Sequence, residues 1–447
     1  STKYAKPLML SLLFFEAQRA GELPKDQRVT WRKSAHMSDG KALGVNLSGG
    51  YYDAGDFVKF GLPGSFTLSM LGWTALDYQK GVETSGQTKY LHEAIRWGTD
   101  YLLKCRLGPD RFVIQVGDPK PDHDYWGSPE DMPLSIPRPI YLATKEWPAS
   151  EPLAESAAAL AAASLVLGPQ DMAYGSKLLQ TAKDLFVQAE RYPGLYQSGI
   201  RKQLRGKMQG VKDCYESSGY QDELAWAAAW LHRATNDTTY LTKAKHHLDS
   251  LPLSTIRRGI LNWDDKSIGA LALLAKADGG KGKYANRLRE YSDWMATKTP
   301  RTPGGLLWLA ASDWGSSSVA LSSSFILGFA HDHLPSPKPS WNTFAQSQVD
   351  YLLGKNPAKR SYLVGADLTS PLRTHHAAAH GVQPPGKGWD LYESASPNRY
   401  VLWGAIVGGP GKKDDFRDAR GDFKGNEPAM DYNAVLVASL GRMATKG

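Results

Sequence analysis

Apolar residues return at helical spacing from one end of the chain to the other. Tyr4 to Ala20 sets Leu8, Leu12 and Phe15 on one stripe, and Lys89 to Cys105 does the same with Leu91, Ile95, Leu102 and Cys105. Such a stripe turns one face of a helix toward a core. The same recurrence predicts further helices near 65–78, 152–167, 176–191, 222–234, 239–249, 267–277, 282–297, 318–331, 341–353 and 431–444, twelve in all. Ala154 to Ala163 and Ala225 to Trp230 are rich in small residues and apolar all round, which predicts buried helices in close mutual approach. Only Arg111 to Val116 and Tyr400 to Val407 read as strands.

Twelve helices without a parallel sheet predict an all-α array, and six helical hairpins closed in a ring would account for the number. No low-complexity linker divides the chain, although Leu334 to Pro339 forms a stiff connector. The chain therefore reads as one domain over residues 1–447. Two long stretches, Phe112 to Glu151 and Gly354 to Gly425, are loops in which function is expected.

Composition narrows the classes. The chain is 42% hydrophobic and 22% charged over 447 residues, enough apolar material for a large core, which excludes general disorder. Two cysteines, Cys105 and Cys214, exclude a disulfide scaffold and a cysteine-rich zinc module. No apolar run approaches the roughly 18 residues of a membrane span, so no membrane partner is expected. The net charge is +8, with the densest basic cluster at Arg201, Lys202, Arg205, Lys207 and Lys212. That cluster reads either as an anion-binding patch or as a solvated loop. Without interleaved aromatics it favours the loop, and no nucleic-acid partner is expected. The 14 Trp and 21 Tyr against 12 Phe suit the walls of a wet groove. Asn46-Leu-Ser48 and Asn236-Asp-Thr238 are glycosylation sequons, compatible with secretion, and the polar start at Ser1 reads as a mature form with its leader removed.

The sharpest local feature is Gly49-Gly-Tyr-Tyr-Asp53-Ala-Gly-Asp56. Two carboxylates three residues apart in a glycine-bearing turn can converge on one water or one metal, or can simply cap the turn. A second feature runs from Phe416 through Asp418 and Glu427 to Ala434. Glu427 stands just ahead of the last helix, either as a helix-start charge or as the partner of a carboxylate across a cleft. Asp122-His-Asp-Tyr-Trp126 and the pair His375-His376 suit recognition of sugar hydroxyls better than a metal, since no HExxH helix or cysteine partner accompanies them. No GxSxG elbow or phosphate-binding loop occurs; Gly408 to Lys413 lacks the required spacing.

These blocks resemble the family 9 glycoside hydrolases, inverting cellulases with an (α/α)6 barrel. The resemblance runs from Phe14-Phe-Glu-Ala-Gln-Arg19 to Asp431-Tyr-Asn-Ala434. It implies an endo-β-1,4-glucanase in which Asp56 is the general base, Asp53 helps to hold the water, and Glu427 is the general acid. It also implies that His123, Trp126, Tyr215, Trp314 and His375 line the groove, that Tyr432 lines the reaction subsite, and that Asp418 belongs with the substrate-binding residues. Ser218, Gly219, Asp222 and Glu223, with the distant Asp264, resemble the family's Ca²⁺ loop, whose hard oxygens suit that ion; the alternative is a capped start to the following helix. A secreted monomer acting on a β-glucan is implied. Ala377 stands where the family usually has an arginine after the His pair, and no arginine follows Trp314-Gly-Ser-Ser-Ser318. Those departures leave two alternatives: a hydrolase of mixed-linkage glucan or xyloglucan, and a non-catalytic glycan-binding protein.

Overall fold

The computed structural model describes residues 2–446. Its twelve long helices are α1 (Thr2–Ala17), α2 (Gly61–Asp77), α3 (Thr88–Cys105), α4 (Ser150–Leu167), α5 (Met172–Arg191), α6 (Gln221–Thr235), α7 (Thr238–Asp249), α8 (Ser267–Ala277), α9 (Gly282–Thr297), α10 (Ser316–His333), α11 (Pro339–Leu352) and α12 (Met430–Lys446). These are the twelve that the apolar spacing predicts. Shorter helical turns, among them Tyr196–Gln203, Ala377–His380, Gly388–Leu391 and Phe423–Asn426, lie in the connecting segments.

The even-numbered helices form an inner ring. α2 packs on α4, α4 on α6, α6 on α8, α8 on α10, α10 on α12, and α12 returns to α2. Each odd-numbered helix lies outside, against the inner helices. The sequence explains the division. α4 is buried along nearly its whole length through its alanine run, whereas α3 buries one stripe, from Leu91 to Cys105. Inside the ring, Trp73 of α2 packs against Trp226 of α6 and Phe325 of α10, with ring centres 5.4 and 4.8 Å apart. The fold is therefore the all-α, (α/α)6 type of closed barrel.

A small antiparallel sheet adjoins the ring. β3 (Arg111–Val116) pairs with β1 (Lys59–Phe60), β2 (Arg106–Gly108) and β4 (Ile140–Ala143). The predicted strand at Arg111 to Val116 is present, but Tyr400 to Val407 is not a strand: it makes only isolated bridges, Leu363 to Ile406 and Val407 to Pro428. Asn433 of α12 takes its polar groups instead, accepting from the Ile406 N–H at 2.9 Å and donating to the Gly404 carbonyl at 2.8 Å. Gly404 sits so close to the Leu10 carbonyl that any β-carbon would overlap it. Both cysteines are free thiols. Among the described residues no helix is long and apolar enough to cross a membrane.

Candidate active site

The segments that precede α2, α6, α8, α10 and α12 meet at one end of the ring and wall a cleft of about 740 Å³. Because outer helices return the chain each time, the inner helices present their N-terminal ends here, where partial positive charge accumulates. Asp53, Asp56, His123, Trp126, Tyr215, Asp264, Trp314, His375, Glu427 and Tyr432 all line it.

The Asp53–Val58 turn is held by its own backbone. The Asp53 N–H donates to the Val58 carbonyl at 3.0 Å, and Asp56 accepts from the N–H groups of Ala54 and Val58 at 3.2 and 3.1 Å. Gln18, just beyond α1, donates to the carbonyls of Tyr52 and Ala54. The turn is also stitched to the carboxy-terminal motif. The Gly55 N–H donates to Glu427 Oε2 at 3.1 Å, the Ala377 N–H to the Gly55 carbonyl at 3.0 Å, and the Met430 N–H to the Asp53 carbonyl at 2.9 Å. A side chain at Gly55 would strike the His375 carbonyl at 2.2 Å, so only glycine allows this approach.

Electrostatics separates the three carboxyls. Burial pushes Glu427 up to about 8, helped by the charge of Asp56 and opposed by the Gly55 N–H. Burial, then the charges of Asp56 and Asp431, holds Asp53 well above the ordinary carboxylate range, although Tyr215 donates to its Oδ2 at 2.7 Å. Asp53 Oδ1 is buried with no hydrogen-bond partner among the described residues. Burial would raise Asp56 too, but His123 and the Val58 N–H outweigh it and leave Asp56 below its usual value. His123 Nε2 stands 3.6 Å from Asp56 Oδ2. Burial lowers that imidazole, yet Asp56, Asp122 and Glu427 together lift it to about 9. Around neutral pH the cleft thus holds an ionised Asp56 beside a cationic His123, with a protonated Glu427 on the adjoining wall.

The paired histidines part company. His375 Nδ1 faces the Arg420 carbonyl at 2.8 Å and its Nε2 lies 3.9 Å from Glu427. His376 is buried, with Nε2 on Gln18 Oε1 at 2.7 Å and Nδ1 accepting from the Ala379 N–H at 3.0 Å. Trp314 is half exposed and packs on Phe423 at 5.3 Å. Trp126 lines the cleft but is only 7% exposed, covered by Tyr392, His375 and Trp389. The half-exposed indole at that end is Trp389, whose Nε1–H donates to the Asp124 carbonyl at 2.8 Å.

Asp418 lies off the cleft lining, and its oxygens accept from the N–H groups of Leu372 and Arg373 and from Asn426 Nδ2, at 2.8, 3.0 and 3.0 Å, which ties the segment before the His pair to the segment before Glu427. Sequence reasoning placed Asp122 in a sugar-recognising stretch but not beside Asp56; its Oδ1 accepts from the Phe57 N–H at 3.2 Å. Asp122, Asp56 and His123 place ligand-type atoms within 4.8 Å of one another; the adjacency of Asp122 to His123 was the available signal.

The Ser218–Asp264 group gathers at the starts of α6 and α8. The Ser218 N–H donates to Asp264 Oδ1 at 2.7 Å, and Asp222 Oδ2 accepts from the Lys266 N–H at 2.7 Å. Burial raises both Asp222 and Glu223 above their ordinary values, and the Lys266 ammonium opposes that rise. Glu223 Oε2 is buried with no hydrogen-bond partner among the described residues. Gly219 has open space where a β-carbon would stand. α6 has no side-chain cap at its start, so these residues do not act as a helix cap. The orphaned Glu223 oxygen suits a hard cation, but Glu223 Oε1 already faces the buried Lys266 ammonium at 3.2 Å, and the acidic group at metal-ligating spacing among the described residues is Asp56, Asp122 and His123.

The sequence matches glycosyl hydrolase family 9 over residues 4–440. The chain belongs to that family. It is 38% identical to Endoglucanase 15 of Arabidopsis thaliana over 99% of this chain and 94% of that one. Endoglucanase A of Bacillus pumilus is 37% identical, over 99% of this chain and 66% of the relative. The fold superposes on the endoglucanase of the termite Nasutitermes takasagoensis with a TM-score of 0.92 at 40% identity, covering 99% of both chains. Endoglucanase CelQ of Clostridium thermocellum, solved with cellotetraose, gives 0.88 at 36% identity over 99% of this chain and 70% of that one.

Proposed function

We propose that this chain is an endo-β-1,4-glucanase that hydrolyses β-1,4-glucosidic bonds with inversion. The observation that carries the reading is the division of protonation in one cleft: Glu427 keeps its proton near neutral pH while Asp56 gives its own up. An inverting hydrolase needs that pair, a carboxylic acid to protonate the leaving oxygen and a carboxylate to activate water from the opposite face. Asp56 takes the proton of the attacking water as the C1–O bond breaks. Asp53, with Oδ1 unpartnered, offers the same water a second anchor. Glu427 passes its proton to the departing glycosidic oxygen. Turnover leaves Asp56 protonated and Glu427 ionised, and exchange with solvent resets both. Trp389 and Trp314 give glucose rings apolar faces to stack on.

The relatives point to the substrate class: Endoglucanase 15 and the termite protein are endoglucanases, and CelQ was solved with cello-oligosaccharides. Anomer-resolved proton NMR of cellohexaose during digestion tests the reading. Fresh α-anomer is expected, whereas fresh β-anomer or no cleavage would overturn it. A second reading, preference for mixed-linkage glucan or xyloglucan, draws on the small side chains of Ala377 and Ser318 in the cleft wall. A panel of polysaccharides separates the two.

Ser218, Gly219, Asp222, Glu223 and Asp264 would hold Ca²⁺, which would brace the segments before α6 and α8. A chelator should lower the melting temperature and added Ca²⁺ restore it. Secretion accords with the exposure of both sequon asparagines, Asn46 and Asn236. Loss of mass on deglycosylation of protein secreted from eukaryotic cells would support it.

A further inference from the structure

The acid–base chemistry leaves unused a strongly basic segment, the end of the Tyr196–Gln203 helix and the loop that leads from it to the cleft wall. Arg201, Lys202, Arg205, Lys207 and Lys212 are all exposed. Of the five, Arg201 alone forms an ion pair among the described residues, at 3.8 Å from Glu216. The loop is not a loose tether. Buried Asp118 accepts from the N–H groups of Gln209 and Gly210, at 2.9 Å to Oδ1 and 2.6 Å to Oδ2, and from the Tyr141 hydroxyl at 2.7 Å. Gln115 Nε2 donates to the Gly210 carbonyl at 3.1 Å. The loop then becomes cleft wall: Gln209, Asp213, Cys214 and Tyr215 line the cavity, and Tyr215 donates to Asp53. Lys212 is thus interposed between cleft-lining residues, and Lys207 precedes them by two positions.

We propose that the Arg201–Lys212 loop docks carboxylate-bearing β-glycan chains, so that anionic β-1,4-glycans are preferred over neutral ones. This rests on the reading of the chain as a β-glucanase and adds a substrate class to it. Unpaired solvated cations on a fixed loop raise the local concentration of an anionic polymer. The cleft interior holds the ionised Asp56, which repels a carboxylate, and no lysine or arginine among the described residues lines it to receive one. Acidic substituents therefore ride on the basic rim while an unsubstituted glucose occupies the reacting position. A nucleic acid would feel the same charge, but residues 201–213 include no aromatic side chain on which bases could stack.

The test is the variant K202S/R205S/K207S/K212S, whose four side chains are exposed and take no part in anchoring the loop. Its kcat/KM is compared with the wild type on carboxymethyl cellulose and on neutral hydroxyethyl cellulose, at low and high NaCl. A loss of roughly threefold to tenfold is expected on the anionic polymer at low salt, shrinking at high salt, with the neutral polymer unaffected. Equal losses on both polymers, or none on either, would overturn the proposal. So would a loss of affinity for duplex DNA with unchanged polysaccharide kinetics, which would make the loop a nucleic-acid surface. Failure of the wild type to cleave either polymer marks failure of the glucanase reading itself, and the proposal falls with it.

Discussion

Two groups of buried carboxyls in this molecule face the same desolvation cost and meet it in opposite ways. Where α4, α6 and α8 meet, Glu155 and Glu223 are sealed from solvent with Lys266, whose ammonium lies 3.7 and 3.2 Å from them. Burial works against that ammonium, but Glu223 and Glu155 keep it charged; burial also raises both carboxyls, and the ammonium opposes that rise. In the cleft, Asp53, Asp56 and Glu427 have no fixed ammonium beside them. The charge is settled by moving protons: Glu427 and Asp53 retain theirs, while Asp56 ionises against a histidine that is itself half exposed. A permanent cation makes a buried carboxylate structural, whereas a shared inventory of protons open to substrate makes it reactive.

The contrast can be broken from either side. Glu427→Gln removes the transferable proton and should cut kcat on an unactivated glucan by about 10²–10⁴-fold with an unchanged circular dichroism spectrum. Lys266→Met attacks the sealed group. It leaves two carboxyls without their cation and should cost about 3–5 kcal/mol in urea unfolding, with part recovered when Glu223→Gln is added. Tyr215→Phe deletes one hydrogen bond to Asp53, and kcat should fall about tenfold with KM little changed, as single-turnover kinetics would read. The smallest expected change is in pH dependence. His123→Asn removes the cation beside Asp56, so the acid limb of kcat/KM should move up by about one pH unit.

Most of the barrel was legible because inner and outer helices differ in pattern: alanine-rich segments buried all round against single apolar stripes. Three of the four strands were not, since runs of two to four residues are too short to show alternation. Tyr400 to Val407 misled for a different reason. Its apolar residues are buried, but Gly404 packs on the α1 backbone and Asn433 satisfies polar groups that a ladder would otherwise pair. In the site, the carboxylate motifs pointed to one cleft. Asp418 belongs to the same signature, yet it holds the backbone of Leu372 and Arg373 and does not line the cleft. Trp126 and Trp389 show the limit of composition: both are tryptophans near the same wall, and tertiary packing alone decides which ring is covered.

The division of protonation is tested most directly by the pH dependence of kcat/KM on a soluble β-glucan. Asp56 must be ionised and Glu427 protonated, so activity should rise through an acid limb below the ordinary aspartate value and fall through an alkaline limb near 8. Glu427→Gln, measured by its residual rate, should lose the alkaline limb and keep the acid one. An alkaline limb near the ordinary glutamate value, or one that survives Glu427→Gln, would contradict the account.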